Sequence, residues 1–247
     1  MTERLYSDLV WIWPFVSPPE DYEEEVASFQ KRFAGHGVRA GASVLHLGSG
    51  GGSIDFHLKR HYRVTGVELS QAMVDYAKSI NPDVEYLRGD IRDVRLGRTF
   101  DAVLLHDASA YLTSLSDLTA AYRTAAAHLR PGGPMVTPPE ELRTRFKQHR
   151  TDVDTRVRGD IAVTTIEADF DADPSDTWFE KTFVFLIRDR GRLTIEADTH
   201  LNGLYNLDDM LAAMREAGFD LEVSRWELSD LALDEDYPLV TAVRRSP

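Results

Sequence analysis

Short, continuous apolar runs alternate with amphipathic stretches through the first half of the chain. Val44-Leu45-His46-Leu47 and residues 63–67, 84–87 and 100–105 read as strands covered on both faces, because a buried parallel strand is hydrophobic along its whole length. Helix-periodic positions separate them. One helix follows Gly52 through Phe56 and Leu58 to about Arg60, and another is capped by Ser70 with Met73, Val74 and Ala77 inward. A third carries Leu115, Leu118, Ala121, Tyr122, Ala125 and Leu129 and ends at Pro131-Gly132, before a short fifth strand. This strand–helix alternation predicts a doubly wound α/β sheet.

The flanks follow other patterns. Residues 5–15 are rich in aromatics, and Ser17-Pro18-Pro19-Glu20 predicts a capping box with proline at the first helical position. The helix it opens turns Tyr22, Val26, Phe29 and Phe33 inward and ends at Gly35 and Gly37. From Pro138 the pattern predicts a short charged helix over 140–148, then three antiparallel strands over 161–170, 178–188 and 192–201. In the middle strand Phe179, Phe183, Phe185 and Ile187 alternate with Trp178, Glu180, Thr182, Val184 and Leu186, so both faces are covered. In the third, Arg192, Thr194, Glu196, Asp198 and His200 share a face that reads as solvated. Asn206 is expected to cap a last helix with Leu207, Met210, Leu211 and Met214 inward and Gly218 at its end, before an antiparallel pair over 219–226 and 237–244. The chain thus divides into a leading segment with a cofactor-binding core (1–137), an antiparallel insertion placed as a lid over the acceptor pocket (138–203), and a last helix and strands that complete the sheet (204–247).

The chemistry enters where the strands end. The first runs into Gly48-Ser49-Gly50-Gly51-Gly52-Ser53, glycines that permit a tight turn and close approach of backbone to a ligand. The second ends in Glu68, at the distance where an acid takes ribose hydroxyls; the third runs into Gly89-Asp90-Ile91, and the fourth stops at His106-Asp107. The glycine cluster by itself suits a dinucleotide equally well. In this order and spacing, however, the residues resemble the class I S-adenosylmethionine-dependent methyltransferases of the small-molecule type, such as glycine and amino-sugar N-methyltransferases and natural-product methyltransferases. The resemblance implies a Rossmann-like, seven-stranded mixed sheet with S-adenosyl-L-methionine as cofactor. It places Gly48, Ser49 and Gly50 against the methionine moiety, Glu68 on the ribose and Asp90 on the adenine amine, with Leu69 and Ile91 flanking the adenine and Met73 in the same set. It also implies that the leading segment folds over the cofactor and contributes a tyrosine, for which Tyr6 and Tyr22 are the candidates. One position departs from the family: His46 stands where Asp or Glu is usual.

Composition narrows the acceptor. A formal charge of −13 over 247 residues argues against nucleic acid, which demands clustered Lys and Arg, and favours a small molecule. There are no cysteines, no basic-then-apolar leader and no apolar run of membrane-spanning length, so a cytoplasmic protein without a membrane partner is expected. Asp101, Asp107 and Glu140 form no convincing carboxylate cluster, so no metal is expected. His106, Tyr22 and Tyr111 are the catalytic candidates, His106 also touching the cofactor, while Asp107 should face away. Trp11, Trp13, Phe15, Trp178, Glu180 and His200 are candidates for the acceptor pocket, although the aromatics would serve equally as core and Glu180 and His200 as ordinary strand residues. The activity implied is methyl transfer to an amine nitrogen or to an electron-rich ring such as an indole carbon, with a hydroxyl acceptor also open, in natural-product biosynthesis. Two other classes stay open: an NAD-dependent oxidoreductase, in which Ser53 would occupy the place of the third fingerprint glycine and Asp90 would have no role, and a catalytically silent cofactor-binding protein. Neither the acceptor atom nor the oligomeric state is written in the pattern.

Overall fold

The computed structural model describes residues 3–139, 141–229 and 237–246. Two 3-10 turns, Arg4–Tyr6 and Val10–Ile12, lead into α1 (Trp13–Val16), a third turn at Pro19–Tyr22 and α2 (Glu23–Gly35). The core runs β1 (Ser43–Leu47), α3 (Asp55–Leu58), β2 (Arg63–Glu68), α4 (Gln71–Ile80), β3 (Glu85–Arg88), β4 (Ala102–Leu105), α5 (Leu115–His128) and β5 (Pro134–Thr137). Four strands follow, β6 (Thr151–Arg158), β7 (Ile161–Phe170), β8 (Trp178–Asp189) and β9 (Arg192–Gly203), then α6 (Leu207–Glu216), β10 (Phe219–Arg225) and β11 (Pro238–Arg244).

Seven strands form one sheet in the order β10-β11-β5-β4-β1-β2-β3. β1 to β5 pair in parallel, and β11 is antiparallel to both of its neighbours. The continuous apolar runs are explained by what covers them. Alternate residues Leu45, Leu47, Val103 and Leu105 pack with Leu118, Tyr122, Met210 and Met214 from α5 and α6. Val44, Ala102 and Leu104 pack on the other side with Phe29, Phe33 and Val74 from α2 and α4. Because β1 has β2 on one side and β4 on the other, the order reverses there, and the crevice where ligands bind in such sheets lies beyond its carboxyl end.

The second sheet, β6-β7-β8-β9, is antiparallel throughout. Phe183, Phe185 and Ile187 of β8, with Val163, close onto Leu5, Leu9, Ile12 and Phe15. The leading segment is therefore the filling under this lid, each buried apolar side chain contributing about 1.5–3 kcal/mol.

Several local expectations give way to tertiary partners. Ser17 does not cap a helix: Pro18 is extended, α2 opens at Glu23, and the Ser17 hydroxyl bonds Tyr22 instead, 2.7 Å away. α3 is one turn and ends at Leu58. Asn206 flanks α6 without a side-chain capping bond and donates to Asp209 at 3.1 Å. The described part of 140–148 is not helical; Leu142 bridges Tyr205, and Arg143 donates to the carbonyls of Pro174, Asp176 and Leu204. The lid has a fourth strand, β6, whose two faces are both exposed and so carry no hydrophobic alternation to betray it. Among the described residues, no helix is long and apolar enough to cross a membrane.

Candidate active site

Beyond the carboxyl ends of β1, β2 and β4 lies a cavity of about 500 Å³, walled on one side by the glycine turn and on the other by the lid. Gly48 turns the chain with φ 73°, and a Cβ there would lie 2.0 Å from the Ala108 Cβ. Only glycine fits that approach. Ala108 comes so near because β4 ends in a γ-turn centred on Asp107, at φ 55° and ψ −38°, a conformation that is rare for a residue with a side chain. This turn reverses one expectation. Asp107 does not face away but lines the cavity beside His106.

The two acids singled out from the sequence converge on this one cavity, together with Gly48, Ser49, Gly50, Leu69 and Ile91. Glu68 accepts the backbone N–H of Gly50 at 3.0 Å and of Ser70 at 2.8 Å, so the end of β2 fixes the shape of the glycine turn. Burial pushes its carboxyl up, and those N–H groups pull it back. The Arg92 side chain clasps both oxygens of Asp90, at 2.6 to 3.0 Å, and holds that carboxyl below its ordinary range. Met73 is fully buried behind Gly50, about a van der Waals contact from where a Cβ would project.

His46 is 2% exposed, and its Nδ1 lies 2.8 Å from the fully buried Asp55 carboxylate. The Asp55 contact fixes the ring's orientation and turns its other nitrogen toward the cavity. That Nε2 and the Ser49 hydroxyl are buried without a hydrogen-bond partner, and both residues line the cavity. Buried polar atoms of this kind are normally satisfied by a ligand or an ordered water. The ammonium and carboxylate of a methionine moiety carry the donors and acceptors to match them.

Two polar groups border the cavity on the side of the leading segment and the end of β4. In one, His106 lies between two carboxylates, Glu25 with Oε2 2.8 Å from Nε2 and Asp107 with Oδ2 3.2 Å from Nδ1, while its ring packs against Tyr22, Phe29 and Trp226. The other joins the leading segment to the lid. The Tyr6 hydroxyl bonds that of Tyr111; Tyr111 donates to His200 Nδ1 at 2.9 Å; His200 Nε2 donates to Asp198 at 2.8 Å; and Asp198 also accepts the Leu5 N–H at 2.8 Å. Burial pushes both tyrosines well above their ordinary range, so they stay protonated.

The acceptor-pocket candidates divide. Trp13 lines the cavity against Gly51, and His200 lies just behind Tyr111. Trp11, 48% exposed, faces outward because the 3-10 turn it belongs to buries Ile12. Phe15 is buried under the lid sheet, and Trp178 and Glu180 fall on the face of β8 turned away from the cavity, whose wall takes Lys181 and Phe183. Asp198 and His200 are buried rather than solvated, because β9 passes under the leading segment halfway along its length. Asp55, Glu167, Lys181, Asp198 and Asn202 escape a reading by composition; the one signal available was that β8 is apolar on both faces, which requires its neighbours to be covered too. Among the described residues, no group of three or more His, Asp or Glu side chains is placed to hold a metal ion.

Comparison with known proteins agrees with this geometry. Residues 44–133 match the model of a methyltransferase domain family. The chain is 30% identical over 205 residues to the dTDP-3-amino-3,6-dideoxy-alpha-D-glucopyranose N,N-dimethyltransferase of Streptomyces fradiae, covering 82% of this chain and 79% of that one. Its fold superimposes on the crystal structure of DesVI from Streptomyces venezuelae with a TM-score of 0.81 at 27% identity, over 91% and 92% of the two chains. It matches the S-adenosylmethionine-bound amino pentose methyltransferase CalS10 from Micromonospora echinaspora with a TM-score of 0.78 at 24% identity, over 90% and 91%. Glycine turn, paired acids, lid and relatives lead to one conclusion: the chain belongs to the class I S-adenosylmethionine-dependent methyltransferases, in the small-molecule group that resembles the amino-sugar methyltransferases.

Proposed function

We propose that the protein methylates the amine nitrogen of an amino sugar in the biosynthesis of a natural product. When bound, S-adenosylmethionine supplies an electrophilic methyl group on a sulfonium, which the acceptor's lone pair takes in an in-line displacement. The chain's own residues align, enclose and deprotonate. Gly48, Ser49 and Gly50 would hold the methionine end, Glu68 the ribose and Asp90, kept ionised by Arg92, the adenine amine. In this reading residues 1–137 form the cofactor core with its leading segment, 138–203 the lid and 204–247 the closing part of the sheet.

The observation that carries the reading is the hydrogen-bonded chain Tyr6–Tyr111–His200–Asp198. An amine must lose a proton to become a nucleophile or to shed charge after transfer, whereas a ring carbon needs chiefly a flat aromatic cradle. With Asp198 accepting from His200 Nε2, the free lone pair of Nδ1 draws the Tyr111 proton, Tyr111 in turn draws that of Tyr6, and the Tyr6 oxygen offers a lone pair to the cavity. A proton arriving at the Tyr6 oxygen sends the Tyr6 proton to Tyr111 and the Tyr111 proton to His200 Nδ1, where the imidazolium is paired with Asp198, so neither tyrosine becomes a phenolate. The lid excludes water, and orientation of the two reactants supplies most of the rest, up to about 7–11 kcal/mol. Incubating the protein with S-adenosylmethionine and a panel of amino sugars, phenols and indoles tests this. Mass spectrometry and NMR should show new methyl groups on nitrogen alone; a methyl on carbon or oxygen overturns the assignment.

A further inference from the structure

Around the glycine turn three polar atoms have no bond within the protein. The His46 Nε2, the Ser49 hydroxyl and the indole Nε1–H of Trp13 are each buried without a hydrogen-bond partner, and all three residues line the cavity. His46 lies opposite Gly66 in the β1–β2 ladder, and the Ser49 hydroxyl is 2.7 Å from where a Cβ on Gly66 would project, so the two flank one glycine. Trp13 comes to the same turn from the leading segment. Its Nε1 is 2.3 Å from where a Cβ on Gly51 would project, two residues beyond Ser49, so glycine there leaves room for the indole.

The chemistry of these atoms decides what they can hold. An indole N–H only donates, a serine hydroxyl donates or accepts, and an imidazole nitrogen does either according to where its protons sit. A group with donors alone, such as an ammonium, would leave Trp13 unsatisfied, whereas a carboxylate accepts from all three. Among the described residues, the Lys and Arg side chains that line the cavity are Arg92 and Lys181. Both are engaged elsewhere, Arg92 by Asp90 at 2.6 Å and Lys181 by Asp169 at 3.2 Å, Glu141 at 3.5 Å and Glu167 at 3.6 Å. A carboxylate at the glycine turn is therefore met by N–H and O–H donors and by the one basic side chain of the three, His46, which has Asp55 behind it at 2.8 Å as counter-charge.

We infer that His46, Ser49 and Trp13 form the seat of the cofactor's α-carboxylate, with His46 donating from Nε2 while Asp55 holds Nδ1. This rests on the reading above that the methionine end of S-adenosylmethionine lies at the glycine turn, and it gives a role to the residue that departs from the family. An acid at position 46 would repel a carboxylate; a histidine with a carboxylate partner of its own attracts one. Trp13 also packs edge-on against Tyr6, with ring centres 5.7 Å apart, so the segment that closes on the carboxylate carries the first residue of the proton relay.

Calorimetry with a truncated ligand tests the inference on the intact protein. S-adenosylhomocysteine is compared with its decarboxylated analogue, which keeps the thioether and the amine. Loss of the carboxylate should weaken binding by about a hundredfold, and an analogue that binds as tightly as S-adenosylhomocysteine overturns the inference. Two variants then locate the contact. His46→Asn places an amide where Nδ1 stands, so that Asp55 keeps a partner, and puts nothing at Nε2; Trp13→Phe keeps a ring against Gly51 and removes the N–H. Each should weaken S-adenosylhomocysteine by about tenfold and leave the analogue's Kd within about twofold of the wild-type value. Equal losses for both ligands would mean that these side chains only shape the turn, which overturns the seat. Should His46→Asn not fold, the wild-type comparison and Trp13→Phe carry the test. In NMR spectra, the indole N–H signal that is missing from Trp13→Phe should shift downfield when S-adenosylhomocysteine binds the wild type and stay in place with the analogue; an equal shift with both counts against the contact. If S-adenosylhomocysteine does not bind the wild type at all, the cofactor reading fails and the inference falls with it.

Discussion

Replacing Glu68 by glutamine is the sharpest test of how the cofactor side is built, because the change keeps size and shape and alters two atoms' chemistry. In the native protein one carboxylate oxygen accepts the Gly50 N–H at 3.0 Å and the other the Ser70 N–H at 2.8 Å. Whichever way a glutamine amide is turned, its NH2 faces one of those donors. One backbone N–H then loses its acceptor, which costs about 1–3 kcal/mol. Burial, which pushes the native carboxyl up, favours the neutral amide and offsets part of that loss. With about 2 kcal/mol remaining and about 2–4 °C per kcal/mol for a chain of this size, Tm should fall by roughly 4–8 °C. If Glu68 holds the ribose as proposed, losing one acceptor there and the support of the glycine turn should weaken S-adenosylhomocysteine binding about tenfold or more. Thermal melting and isothermal calorimetry of the two proteins, side by side, read both effects. A variant that melts with the wild type and binds within about twofold of it would show that the turn holds itself and that Glu68 neither shapes it nor holds the cofactor.

Three further outcomes follow from other parts of the molecule. Tyr111→Phe removes the central link between Tyr6 and His200; kcat should fall by about 10²-fold with the affinity for S-adenosylhomocysteine intact, and an undiminished kcat would remove the relay from the mechanism. His128 donates from Nδ1 to the Thr124 carbonyl and accepts the Leu96 N–H on Nε2, and burial lowers its pKa from the usual 6.5, so the fold requires the neutral ring. Its contribution is present above pH 6.5 and is lost as pH falls through the lowered value, so melting curves from pH 7.5 down to 5 should decline more steeply for the wild type than for His128→Gln; parallel declines would show that His128 is not the group responsible. A Cβ added at Gly66, on β2, would lie 2.5 Å from the ring of Tyr86 and 2.7 Å from the Ser49 hydroxyl. Gly66→Ala should therefore cost roughly 1–3 kcal/mol in chemical denaturation, and a neutral result would mean that the ring moves freely.

Much of the fold was legible because it follows from local periodicity. The runs ending at Leu47, Glu68 and Leu105 are apolar throughout because helices cover both faces of the sheet, and that requirement is imprinted residue by residue. The glycine turn and the acids at 68 and 90 were legible for a similar reason: each sits at a strand's carboxyl end, and the strand order brings those ends together. Polar residues whose partners lie far along the chain left no such imprint. Nothing local distinguishes Asp198 and His200 from Thr194 and Glu196 on the same face of β9; only the docking of residues 4–15 covers the first pair and leaves the second near solvent. Likewise the direction of Asp107 depends on a single turn, and the burial of His46 against Asp55 on the angle at which α3 leaves the glycine loop. The sequence by itself determined the layered sheet and the gathering of the glycine turn, Glu68 and Asp90 at one end of it, because hydrophobic period and glycine placement are local properties. The hydrogen-bonded chain from Tyr6 to Asp198 was joined by tertiary structure: Tyr6, Tyr111 and His200 were candidates one by one, but their bonds exist only where the leading segment, the turn after β4 and the lid strands meet.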